Sequence, residues 1–315
     1  MSTTTDYKGE SKPRDAKTAT LLCLISPGLG LIYVGEWARG LLANLGFVAL
    51  VEGFMLLFAA LKFFPLLPIV VLFFSWALFV LFAARSARNR IGPNEYILKP
   101  YNHPLMYGLF ALITFFAPVL ATLQFTTSEL VTPMTVNSAG MIPTLRPGDV
   151  VLIDRTAFKK RLPARGELIV ADSNDAPLLL RAIAIAGDAV RFEGDVVFVN
   201  EDSLPRQPIQ LDGKSEEVMH VVEWNSEAQY PLAFSPRVHN YTMTSIAGVP
   251  DHMVFALSDN RSLVPADGGV AQTRDSRTFG PVDAASLMGK PLFIAWSTDP
   301  ISGDVRWNRI GLRVR

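Results

Sequence analysis

Asn137-Ser138-Ala139-Gly140-Met141-Ile142-Pro143-Thr144-Leu145-Arg146-Pro147-Gly148-Asp149 stands where the chain changes character. Ahead of it, apolar residues crowd between Leu21 and Leu123. From Val131 on, short β-type runs alternate with turn residues. The chain therefore reads as a membrane region followed by a globular domain. Its 315 residues are half hydrophobic and 18% charged, and the apolar half is concentrated on one side of this segment. Net charge is zero, so nothing points to a nucleic-acid partner. The one cysteine, Cys23, excludes an intrachain disulfide.

Upstream, residues 1–17 are polar with mixed charge and read as a disordered tail. They are not a cleavable signal peptide, because the apolar region after them continues through several segments. Residues 18–33 are apolar but broken by Ser26-Pro27-Gly28 and Gly30, as in a kinked span or a re-entrant hairpin. The pattern Pro27-Gly28-Leu29-Gly30, Tyr33-Val34-Gly35, Arg39-Gly40 resembles small two-span membrane modules fused to many bacterial proteins. Residues 41–61, 63–84 and 107–123 are each long enough to span. The count is thus three or four, and the side of the N-terminus follows from it. Arg85, Arg88 and Arg90 on one side and Lys99 and His103 on the other make the loop between the last two spans basic, which places it in the cytoplasm and everything after about Gln124 outside. Glu52 lies mid-span, where a carboxylate needs a partner or a cavity.

Downstream, residues 149–154, 167–172, 178–185, 189–199, 218–224, 253–257 and 291–296 read as strands, punctuated by Pro163, Gly166, Gly187 and Gly213. Without βαβ alternation, they suggest an antiparallel β-domain. The expected organisation is a tail (1–17), a transmembrane region (18–124) and an extracytoplasmic β-domain (125–315).

The quoted segment resembles the Ser-x-Ser-Met-x-Pro-Thr-Leu, Gly-Asp signature of bacterial type I signal peptidases, membrane-bound serine endopeptidases that remove signal peptides from exported proteins. Further matches follow in the family's order. Pro163-Ala164-Arg165-Gly166-Glu167-Leu168-Ile169-Val170 resembles Pro-x-Arg-Gly-Asp-Ile-Val-Val. Leu180-Arg181-Ala182-Ile183-Ala184-Ile185-Ala186-Gly187-Asp188 resembles Lys-Arg-x-Val-Gly-x-Pro-Gly-Asp. Val249-Pro250-Asp251 through Ser258-Asp259-Asn260-Arg261 resembles Val-Pro-x-Gly-x-x-Phe-x-x-Gly-Asp-Asn-Arg. Asp275-Ser276-Arg277-Thr278-Phe279-Gly280-Pro281-Val282 is similar to Asp-Ser-Arg-x-x-Gly-x-Val, and Gly289-Lys290 and Trp296-Ser297 match the last strand. The resemblance implies a membrane α-helical N-terminal region of 3–4 spans followed by a mainly antiparallel all-β signal-peptidase-like domain, on the outer face of the cytoplasmic membrane. It implies signal peptides or exported preproteins, and the lipid bilayer, as partners.

The family uses a serine–lysine dyad, whose lysine must be neutral and so must be buried among apolar groups. The resemblance puts the nucleophile at Gly140 and the base at Leu180, so both reactive groups are missing. Arg181 is no substitute, because strand neighbours point to opposite faces and a guanidinium stays protonated. Some of the machinery is retained. The backbone N–H of Gly140 and the hydroxyl of Ser138 match the family's oxyanion donors, and an extended strand around Val136, Met141 and Pro143 offers an edge for a peptide. Asp259, Asn260, Arg261, Asp275, Ser276 and Arg277 read as a turn and a salt-bridge cluster that supports the site.

Three readings follow. The first is a family member that binds peptides without cutting them. The second is a peptidase with a displaced dyad, Ser138 attacking with Lys159, Lys160 or Lys214 as base; a strand would put Ser138 roughly 6–7 Å from position 140. The third is a membrane module centred on Glu52 with an external β sensor domain. No cofactor motif is visible, and His103, His220, His239 and His252 have no metal-ligand spacing.

Overall fold

The computed structural model describes residues 11–62, 66–91, 96–99, 101–173, 176–194, 196–209, 218–234, 246–261 and 274–315. The chain divides into two units, Met1–Thr126 and Thr127–Arg315.

The first unit is built on apolar helices. Trp37–Leu61 and Leu66–Arg88 run for 25 and 23 residues. At about 1.5 Å rise per residue, each is long enough for a hydrocarbon core of about 30 Å. The helical stretch Pro104–Leu130 has a mean hydropathy of 1.9, against 2.1 for the other two. Phe73, Phe74, Leu78, Leu81 and Phe82 are all exposed, a surface suited to lipid rather than water. The second of these helices ends later than the sequence suggests. It takes Arg85 and Arg88 into its last turn, where cations meet the negative end of the helix dipole. The third exceeds its expected bounds at both ends. It contains π-helical turns at Leu112–Phe116 and Thr126–Leu130, the first just ahead of Pro118, whose missing N–H a wider turn accommodates.

Residues 18–33 fold as two short helices, Ala16–Ile25 and Leu29–Tyr33. The break is held by Asn44, whose Oδ1 accepts from Ser26 Oγ and from Gly28 N, both at 2.7 Å. A Cβ on Gly28 would stand 2.0 Å from the Gly40 carbonyl oxygen, so the close approach requires glycine. Neither piece is long enough to cross, and three helices among the described residues are. Of the expected tail, residues 1–10 lie outside the described residues, while Ser11–Lys12 (β1) pairs with Tyr96–Ile97 (β2).

The second unit is antiparallel throughout its strands: β3 (Val131–Thr135), β4 (Asp149–Asp154), β5 (Leu168–Ala171), β6 (Leu178–Ile185), β7 (Val190–Glu193), β8 (Val196–Val199), β9 (Asp202–Ser203), β10 (Arg206–Ile209), β11 (Met219–Asn225), β12 (Ala228–Phe234), β13 (Met253–Leu257), β14 (Val282–Asp283) and β15 (Leu287–Ser297). Seven of them form one sheet in the order β14-β13-β6-β5-β15-β4-β3, with small sheets β7-β8-β9 and β10-β11-β12 beside it. The main sheet is covered on both faces. Ile169, Ala171, Leu180, Ala182, Val254 and Ala256 pack on one side. On the other, Leu168 and Val170 join Met141 and Leu145, and Ile183, Phe255 and Leu257 pack beneath the small sheets. Residues 189–199 form the hairpin β7–β8 rather than one strand, because Gly194 turns the chain at φ +57°. Strand β12 carries Pro231, which argues against a strand in the sequence. It is an edge strand, where proline is tolerated.

Gly148 closes the loop that carries the site. Its φ is +87°, and a Cβ there would lie 2.0 Å from the Thr298 carbonyl oxygen. Gly148→Ala is expected to lower stability by at least about 1–3 kcal/mol, read as a lowered melting temperature of the full chain in detergent. An unchanged melt would contradict the close approach.

Candidate functional site

After β3 the chain does not continue as a strand. Val136 N donates to Asp149 O at 2.8 Å and Gly148 N to Val136 O at 2.9 Å, which pinches off a loop. Inside it Ala139–Met141 form a single 3-10 turn. This corrects the expectation of an extended edge at 136–141. The backbone of Val136 is already paired, and the side chains of Val136 and Met141 are core, 2% and 0% exposed. Pro143 follows the turn, half-buried.

The turn is fixed from the end of β13. Asn260 N donates to Gly140 O at 2.8 Å and its Nδ2 to Ala139 O at 3.3 Å. Thr144 Oγ1 donates to Asp259 Oδ2 at 2.5 Å. Asp259 also receives a bidentate pair from Arg181, Nε to Oδ1 at 2.7 Å and Nη2 to Oδ2 at 2.6 Å. Both residues are fully buried, and the guanidinium also donates to Gly166 O at 2.8 Å and lies 4.0 Å over the Tyr230 ring. Arg181 thus ties the turn to the sheet from the face opposite Leu180.

The remaining support residues are linked to one another, since Arg277 Nη1 donates to Arg261 O at 2.9 Å. Asp275 accepts from Arg277 Nη2 at 2.8 Å and from Ser258 N at 3.1 Å. Ser276 Oγ accepts from Ala256 N at 2.9 Å. Arg261 donates to Glu223, which also accepts from Arg206 and Tyr230. Burial pushes the Glu223 carboxyl up, but the charges of Arg261 and Arg206 and the hydrogen bonds from Arg206 and Tyr230 hold it below the ordinary carboxylate range. Glu223 and Tyr230 escaped the sequence reading because their charged partners, Arg261 and Arg181, lie 38 and about 50 residues away in the chain.

At the centre stands Gly140. Its φ lies outside the left-handed region, and a Cβ there would meet nothing nearer than Ser138 Oγ and Ser258 Oγ, each at 3.6 Å. Neither backbone nor space demands glycine. Because the turn curls the chain, the Ser138 hydroxyl is closer to position 140 than a strand would place it, and Ser138 is exposed. Leu180 is 1% exposed among Ile169, Ala182, Val254 and Ala256. Strand β13 pairs with β6 through Ala256–Ala182 and Leu257–Arg181, and one further step of that register sets Ser258 opposite Leu180 on the same face. Position 140 is therefore bordered by Ser258, whose strand runs beside that of Leu180.

Of the lysines considered as alternative bases, Lys159 is ion-paired with Glu129 at 3.3 Å, Lys160 is exposed, and Lys214 lies outside the described residues. Lys290 is engaged by Glu167 at 2.6 Å. In the first unit Glu52 is exposed, with Thr122 Oγ1 3.5 Å from its Oε1, at the limit of a hydrogen bond. No group of His, Cys, Asp and Glu among the described residues is arranged to hold a metal.

Residues 109–296 match the family described as signal peptidase, peptidase S26, over more than half of the chain. The chain belongs to this family. Similar signal-peptidase relatives include signal peptidase IB of Staphylococcus aureus (strain COL), 25% identical over 169 residues, which are 53% of this chain and 78% of the relative. Another is the chloroplastic thylakoidal processing peptidase 1 of Arabidopsis thaliana, 22% identical over 192 residues, 56% of this chain and 46% of the relative. A crystal structure of a signal peptidase I from Enterococcus faecalis aligns with 41% of this chain and 97% of its own at 24% identity, with a TM-score of 0.25. As a family member the chain joins three apolar helices to an antiparallel β half-barrel, an arrangement that suits a membrane-bound protein whose family acts on preproteins bearing signal peptides.

Electrostatics around the signal-peptidase-like domain add one pH-sensitive element. Burial pushes the Glu167 carboxyl up. Hydrogen bonds from Arg161, Lys290 and Ala164 N and the Lys290 charge outweigh it and bring it down to about 2, from an ordinary 4.5. A depressed carboxylate stabilises the fold fully above its unfolded value and loses that contribution as pH falls toward the folded one. Stability of the full chain in detergent is therefore expected to fall as pH drops from 4.5 to 2, and Glu167→Gln to flatten that part of the profile. An identical acid profile in the variant would remove Glu167 from this role.

Proposed function

We propose that this chain is a peptide-binding member of the signal peptidase family that has lost the serine–lysine chemistry. It sits in the cytoplasmic membrane with its β-domain on the outer face and takes signal peptides or exported preproteins as ligands. The observation that carries the reading is position 140: a glycine stands at the nucleophile's place although neither its φ nor its surroundings require one. Leu180 supports it, since an apolar side chain fills the buried place of the base and leaves nothing to accept a proton. The outer-face orientation rests on the arginines that end the Leu66–Arg88 helix.

The test is a titration of full-length chain in detergent micelles with a fluorescent peptide containing a small-x-small segment, followed by mass spectrometry of the peptide. Saturable binding with intact peptide is expected. Absence of binding overturns the reading.

The displaced-dyad reading draws on the short distance from Ser138 Oγ to position 140. Against it stands the placement of Lys159 and Lys160 at the exposed surface. Cleavage by the natural chain that disappears in Ser138→Ala would establish it, and cleavage unaffected by that substitution would exclude Ser138.

A further inference from the structure

Ser258 stands where the motif Gly-Asp-Asn-Arg has its glycine, and Gly140 stands where the motif Ser-Met has its serine. These two exchanges face each other. The Ser258 hydroxyl lies 3.6 Å from the place a Cβ of residue 140 would occupy, and the Ser138 hydroxyl lies at the same distance from that point. Ser258 is 4% exposed, its backbone N–H is taken by Asp275, and its hydroxyl makes no hydrogen bond among the described residues. Its oxygen therefore keeps some access to solvent, and a ligand carbonyl can take the place of that solvent. The Ser138 hydroxyl is likewise unbonded among the described residues, and it borders the same point from the exposed side.

We infer that Ser258 and Ser138 form a two-hydroxyl cradle, in the space left open by Gly140, that donates to a backbone carbonyl of the bound peptide. This deepens the peptide-binding reading above and rests on it. The serine that the family places on the 3-10 turn as an attacking group is replaced by one on β13 that serves as a hydrogen-bond donor. One step beyond the last paired residues, Leu257 and Arg181, the register leads to Leu180, which has no amine to draw a proton from that hydroxyl. The ligand class is an extended peptide, one of whose backbone carbonyls enters the space beside Gly140.

The experiment uses full-length chain in detergent micelles and a small-x-small peptide carrying a single 13C carbonyl at successive positions. At one position the labelled amide band is expected to shift to lower frequency on binding. Ser258→Ala should weaken binding about tenfold, the loss of one hydrogen bond of ordinary strength, and should remove most of the band shift even at saturating peptide. A merely structural Ser258 leaves the shift in place. Gly140→Ala provides a second variant that the backbone and the 3.6 Å clearances tolerate; its methyl group fills the cradle, so binding should fall by a similar factor with the melting temperature unchanged. If natural chain binds the peptide but both variants bind equally well with the same band, the cradle is overturned and peptide binding stands. If natural chain does not bind, both fall.

Discussion

Full-length chain carrying Gly140→Ser and Leu180→Lys is expected to cleave a preprotein at a small-x-small site at least about 100-fold faster than the natural chain. This is a small part of the roughly million-fold that a nucleophile–base unit contributes in a serine peptidase. The geometry makes the gain plausible at each step. The backbone at 140 accepts an L side chain, and its nearest neighbours are two hydroxyls 3.6 Å from the new Cβ. The lysine at 180 enters surroundings made by Ile169, Ala182, Val254 and Ala256. Burial there disfavours its charged form and moves its pKa down toward neutrality, as a general base requires. The rate should therefore rise with pH through a midpoint below the ordinary lysine value. The Ser258 hydroxyl can hydrogen-bond the restored nucleophile and divert it from the lysine, so adding Ser258→Gly, the residue of the family motif, should raise the rate further. If the triple variant is silent while folded and binding peptide, then more than the dyad has been lost.

Asp259→Ala is expected to be the most damaging substitution in the β-domain, at about 3–5 kcal/mol. It strands the Arg181 guanidinium, which is 0% exposed and donates two of its hydrogen bonds to that carboxylate. It also releases Thr144, and with it one tether of the loop that holds Gly140. An unpaired buried charge costs far more than an absent pair, so Asp259→Leu combined with Arg181→Met should regain most of the loss. The check is a denaturant titration of the natural chain and the two variants, with tryptophan fluorescence as the signal. Equal destabilisation of the single and paired variants would show that the pair is not coupled as its geometry indicates.

The architecture was legible where composition and local pattern carry it. Three long apolar stretches announce their helices because nothing but lipid suits a surface such as Phe73-Phe74 to Phe82. The strands 149–154, 178–185 and 253–257 were readable because β-branched and apolar runs end at turn residues. The turn at Ala139–Met141 was not. Its sequence is compatible with extended backbone, and what bends it is Asn260, more than 100 residues away. Ser258 passed unnoticed for a similar reason. As a serine before Asp259 it reads as a strand end, and its place beside Gly140 emerges only when β13 is paired with β6. The hairpin at Gly194 was misjudged locally, since one glycine inside an apolar run can sit within a strand or turn the chain.

The most direct test of the central claim is a single-turnover cleavage measurement on the natural chain. Excess full-length protein in detergent is incubated with a preprotein bearing a small-x-small site, and the intact mass of the preprotein is followed over hours. With Gly140 and Leu180 in place, the preprotein mass stays unchanged even though binding is saturated. A product cut at the expected site, formed by natural chain and abolished by no contaminant inhibitor that spares Gly140→Ser/Leu180→Lys, would contradict it and require a nucleophile other than residue 140.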